Sequence, residues 1–186
     1  MSRILIPDAG PLFSLAAGDL LFLLERFQVG ISDVVRWETI DRGPGPTPSP
    51  EAKRLLAYYN KNSAIITTFQ TQVGVQIASA RELDKKYEPP RNLGELSIQS
   101  LLIDLQITAP GSSPVVLLED SWFLNNAPGL AKPCFLLSTQ AFLENAQKRK
   151  WIKSAEAARK AIASARPDAY NASTSIPAGR SGTAPT

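Results

Sequence analysis

The chain contains no histidine and only one cysteine, Cys134. The first absence removes every nucleophilic triad that depends on an imidazole base, and any zinc held by histidine. The second excludes an internal disulfide and a thiolate metal cluster, and fits a reducing compartment. Long uncharged apolar runs are missing too. Asp8, Pro11, Asp19 and Glu25 break the apolar N-terminal stretch before it reaches the roughly 18 residues a membrane span requires. That stretch also lacks the basic start, clean apolar core and small-residue cleavage site of a signal peptide. The expectation is a cytoplasmic protein with no membrane partner, whose chemistry must run on carboxylates, hydroxyls, lysines or a bound ion.

With 186 residues, 44% of them hydrophobic and 20% charged, the chain is long enough for one buried core and too apolar for global disorder. Its formal charge of +3 permits a polyanionic partner without demanding one. Short apolar or β-branched runs bounded by turn residues occur at 4–6 (ILI), 29–32 (VGIS), 64–69 (AIITTF), 115–118 (VVLL) and 134–137 (CFLL). Helical segments separate most of them, which predicts an α/β fold around a parallel sheet buried on both faces.

The helices follow from periodicity and start signals. Ile98, Leu101, Leu102 and Leu105 recur at the spacing of one helical stripe. Ser49 and Pro50 read as the N-cap and first residue of another helix. TQAFLENAQKRK and SAEAARKAIASA form a closing helical pair divided around WIK at 151–153. Between Phe69 and Arg91 the pattern supports only a short helix near ARELDKKY. The Pro/Gly stretch at 41–50 reads as an exposed loop, and 167–186, which lacks apolar periodicity, as a flexible tail. One domain over residues 1–166 remains.

The acids are placed in a recurring way. Asp8 ends the first apolar run, Glu119 and Asp120 follow VVLL, Glu95 opens the helix after PPRN, and Glu38 lies in SDVVRWETI. In a parallel α/β sheet the carboxyl ends of the strands and the helix starts that follow them share one edge, where such folds bind ligands. Asp8 and Asp120 then converge, and the helix carrying Glu38 can reach the same edge. Each acid alone has a plainer role: Asp8 and Asp120 as helix caps, Glu95 as partner of Asn92 in a capping box, Glu38 as a solvated charge. Together, carboxylates gathered at one edge repel and need a compensating cation. A donor set of oxygens suits Mg²⁺ or Mn²⁺, ions that support phosphodiester hydrolysis.

The ordered segments ILIPDAGPLFSLA, VVRWETI, NLGELSIQSLLI and VVLLEDSWF resemble PIN domains, the nuclease fold of VapC-like toxins. The ending LLSTQAFLENAQKRKWIKSAEAARKAI is similar to the closing strand and helices of a related PIN subgroup, so the likeness spans about residues 3–165. It implies a three-layer α/β/α sandwich with a central, mainly parallel sheet, and a metal-dependent endoribonuclease using Mg²⁺ or Mn²⁺. By position it implies Asp8, Glu38, Glu95 and Asp120 as catalytic, metal-holding acids, with Glu119 as an auxiliary metal-facing acid. It further implies an RNA substrate, a homodimer and, for a toxin, a small antitoxin protein as partner.

Two positions depart from the family pattern. Ala9 stands where many relatives carry a hydroxyl, and Leu118 where Thr or Ser usually precedes the last acid pair. Both bear on efficiency, and the alternative is a catalytically inactive PIN-like module that binds RNA or a protein. Among basic residues, Arg36 is a candidate for substrate phosphate, since a guanidinium fork matches phosphate oxygens. The run Lys148, Arg149, Lys150 and Lys153 around Trp151 reads first as a solvated helix face over a buried indole.

Overall fold

Parallel strands cannot be joined by tight turns, so each strand must be followed by a crossover, and the apolar runs of this chain are spaced to allow one. The computed structural model describes residues 4–41, 49–119, 122–125 and 134–167. Its strands are β1 (Ile4–Pro7), β2 (Gln28–Ser32), β3 (Ile66–Phe69), β4 (Val115–Leu118) and β5 (Phe135–Ser138). They form one all-parallel sheet in the order β3-β2-β1-β4-β5. Helices flank it in a three-layer α/β/α sandwich: α1 (Ala9–Ala17), α2 (Asp33–Arg36), α3 (Pro50–Lys61), α4 (Gln72–Leu83), α5 (Leu93–Thr108), α6 (Trp122–Asn125), α7 (Thr139–Lys148) and α8 (Ala155–Ala165). A 3-10 helix spans Leu21–Arg26, and α2 runs on into a π-helical turn, Trp37–Asp41.

Burial follows position in the sheet. Leu5 and Ile6 of β1 and Val116, Leu117 and Leu118 of β4 are buried, whereas every residue of the edge strand β5 is partly exposed. The stripe on α5 faces the core as the spacing predicts, with Ile98, Leu101, Leu102 and Leu105 buried. Helix starts are set by hydroxyl caps. Ser32, Ser49, Thr71, Ser138 and Ser154 each accept a hydrogen bond from the backbone N–H three residues on.

One prediction needs correction. The helix between Phe69 and Arg91 is not a short element near ARELDKKY but the twelve-residue α4, which ends at Leu83. Ile77 is its one buried residue, so little apolar period marks it in the sequence. Its start is fixed instead by Thr71, whose N–H and hydroxyl donate to the two carboxylate oxygens of Asp33 at 3.1 and 2.8 Å. The predicted loop at 41–50 lies outside the described residues except for Asp41, Ser49 and Pro50, and the predicted tail does so beyond Pro167. Among the described residues, no helix is long and apolar enough to cross a membrane.

Topology selects one crevice. The chain builds β1, β2 and β3 outward in one direction, then crosses back to lay β4 on the other side of β1. The strand order reverses between β1 and β4, and in open α/β sheets ligands bind outside the carboxyl ends at such a point. Asp8 directly follows β1 there, and Glu119 directly follows β4. The Asp8 N–H donates to Leu117 O at 2.9 Å, carrying the β1–β4 pairing to the edge.

Candidate functional site

Asp8 occupies the N-cap position of α1 with extended backbone, yet its carboxylate makes no cap hydrogen bond, so the plainer helix-cap role is not the one it takes. The residue is buried at 7% exposure. Glu38 arrives from the other side, on the second position of the π-helical turn that prolongs α2. The two meet at Gly94, in the first turn of α5. A β-carbon added at Gly94 would lie 3.0 Å from Glu38 Oε2 and 3.4 Å from Asp8 Oδ1. The missing side chain is therefore the space in which the two carboxylates converge.

Glu95 is the next residue along α5, half-buried, where the helix dipole favours an acid. The capping box with Asn92 does not form: Asn92 is left-handed, with φ 64°, and its side chain accepts no cap hydrogen bond. Glu119 faces α1 instead. A β-carbon on Gly10 would sit 3.2 Å from its Oε2, and Arg166 Nη1 lies 4.0 Å from the same oxygen. Arg166 also donates to Gly10 O at 3.0 Å and to the Ser14 hydroxyl at 2.8 Å, so it clamps the residue after α8 onto α1 and supplies Glu119 with a counter-charge. Asp120 lies outside the described residues. Among the described residues, no group of three or more acids, cysteines or histidines is close enough to hold a metal ion.

Arg36, the last residue of α2, is engaged by Asp41 and Tyr59. Its Nε lies 3.1 Å from Asp41 Oδ2, and its guanidinium sits 4.9 Å from the Tyr59 ring centroid. A substrate phosphate would have to compete with both. Trp151 in the basic run is half-buried rather than buried, while Lys148, Arg149, Lys150 and Lys153 are exposed.

Two serines and a glycine joined to one another beside the acids carry no role in the sequence reading. Ser32 ends β2 and caps α2; its hydroxyl lies 2.6 Å from that of Ser97, which donates to Gly94 O at 2.6 Å. Ser32 was findable as a hydroxyl before a helical segment. Ser97 and Gly94 were not, because a serine and a glycine inside a helical stretch signal nothing without their neighbours. Comparison of the chain with family models, with curated proteins and with solved structures finds no match.

Proposed function

We propose that this protein is a metal-dependent endoribonuclease of the PIN type, using Mg²⁺ or Mn²⁺ to hydrolyse phosphodiester bonds in RNA. The observation that carries the reading is the meeting of Asp8 and Glu38 at Gly94, at the carboxyl edge of an all-parallel sheet. The donor chemistry fits such an ion: the groups are carboxylate oxygens, and the glycine leaves a cradle that any side chain would fill. Asp8 and Glu38 would hold the ion, with Glu95 beside them and Asp120 as the further acid that the resemblance assigns. When bound, the ion supplies charge neutralisation at the phosphate and acidifies a water. The protein's own part is to keep two like charges at close quarters in fixed backbone frames, so that cation binding relieves their repulsion.

The same reading makes the chain the toxin of a toxin–antitoxin pair, a cytoplasmic homodimer restrained by a small antitoxin. Glu119 then acts as an auxiliary acid whose charge Arg166 tempers.

The test is cleavage of a mixed RNA pool with Mg²⁺ or Mn²⁺ and with EDTA, beside Asp8→Asn and Glu38→Gln variants checked for unchanged melting. Metal-dependent cleavage that drops by about a hundredfold or more in both variants supports the reading. Equal cleavage in EDTA, or in both variants, overturns it. A second reading, an inactive PIN-like module that binds RNA or a protein, is favoured by the engagement of Arg36 with Asp41 and Tyr59. RNA binding without turnover in any metal would select it.

A further inference from the structure

A second concavity lies at the other end of the sheet. Its walls include Ile4, Val115 and Phe135, the first residues of β1, β4 and β5, together with Phe27 just ahead of β2. Asp8 and Glu119 follow the last residues of β1 and β4, so the length of the strands separates this cavity from the acids. Leu136 and Phe142 extend the apolar wall. The cavity measures about 500 Å³, within the range of roughly 300–1,000 Å³ typical of small-molecule sites.

Its charged groups are of one sign. Arg26, Arg149 and Asn145 line it, and among the described residues no acid does. The guanidinium of Arg26 stands 4.9 Å from the Trp151 ring centroid and that of Arg149 stands 5.4 Å from the same ring. Among the described residues, neither has a carboxylate within ion-pair distance. Two exposed cations thus flank one indole beside an apolar hollow, a setting in which an anionic head would meet both. Phe27 packs edge-on against Trp151 at 5.9 Å and tilted against Phe142 at 5.9 Å, which steadies the indole that both guanidiniums approach.

We propose that this cavity binds a small amphipathic carboxylate, with an apolar body against Phe27, Val115 and Leu136 and its head between Arg26 and Arg149. Guanidinium forks match a carboxylate with paired, charge-assisted hydrogen bonds, and the Asn145 amide, which donates one N–H to Ala141 O at 2.8 Å, has a second N–H to offer. Neither group of the proposed nuclease site takes part, so the two readings stand or fall separately.

Titration calorimetry of the full chain with octanoate, and with octan-1-ol as its uncharged counterpart, tests this. A saturable one-to-one octanoate isotherm is expected, weakened about tenfold or more by loss of the charged head and by the Arg26→Gln/Arg149→Gln double variant. Leu136→Trp fills the hollow and should abolish binding. If that variant does not fold, mapping octanoate by amide shifts on the wild type decides instead, with shifts at Val115 and Phe142 expected. Asp8→Asn should bind octanoate unchanged. No saturable heat up to about 5 mM, equal binding of the alcohol, shifts confined to other residues, or binding untouched in the double arginine variant each overturns the proposal.

Discussion

The hydroxyls of Ser32 and Ser97 lie 2.6 Å apart with both residues fully buried, and the direction of every proton between them is determined. Each hydroxyl has one proton. Ser97 gives its proton to Gly94 O, so Ser32 must donate to Ser97, and the Ser32 oxygen in turn accepts from Val35 N–H at 3.1 Å. A directed chain therefore joins the start of α2, which leads to Glu38, with the first turn of α5, which carries Gly94.

Ser97→Ala breaks that chain in the middle and leaves the Ser32 proton buried without an acceptor. Destabilisation of about 1–3 kcal/mol is expected, measured by urea unfolding. Removing both hydroxyls should cost less than the sum of the two single changes, because no orphan remains. Additive losses would mean that the two hydroxyls do not act as a pair.

Gly94→Ala separates stability from function. Alanine is better than glycine in a helix by up to about 1 kcal/mol, so the melting temperature should hold or rise. The new methyl would press on Glu38 Oε2 at 3.0 Å, and the shift that relieves it moves the carboxylates apart. Stabilisation of the wild type by millimolar Mn²⁺, read as a melting shift, should shrink in the variant. An unchanged metal shift would remove Gly94 from the site.

Gly74 permits the docking of α4. A β-carbon there would collide with the Asp33 carboxylate, the group that receives both hydrogen bonds from Thr71. Gly74→Ala should cost about 1–3 kcal/mol, with amide exchange in α4 accelerating before the rest of the chain, since Ile77 is the one buried residue of that helix. In an Asp33→Ala background the same change should be neutral or stabilising, as the collision is gone and helix propensity is left. A cost that persists without Asp33 would locate the clash elsewhere.

Tyr58 governs a pH response. Burial, and then the negative charge of Glu25, raise its hydroxyl well above the ordinary value of 10.0. A phenol whose folded pKa exceeds its unfolded one contributes stability that is full below pH about 10 and is lost as pH rises beyond it, because the unfolded chain ionises first. Among the described residues that hydroxyl has no hydrogen-bond partner. Tyr58→Phe should therefore match or exceed wild-type stability at pH 7, by up to about 1 kcal/mol, and lose stability more gently between about pH 10 and 11. Parallel stability curves for the two proteins across that interval would refute the assignment.

The sequence by itself determined the α/β class with its mainly parallel sheet, the buried stripe of α5 and the hydroxyl start of α3. These depend on apolar periodicity and on hydrogen bonds that span three residues, and a linear pattern carries both. It also brought Asp8 to the end of β1. Only the tertiary structure decided that Glu38 and Asp8 share the space beside Gly94, that Glu119 lies against Gly10 with Arg166 as its counter-ion, and that α4 begins where Asp33 receives Thr71. Each of those contacts joins residues far apart in the chain, and long-range pairing is set by how whole layers pack rather than by any local pattern.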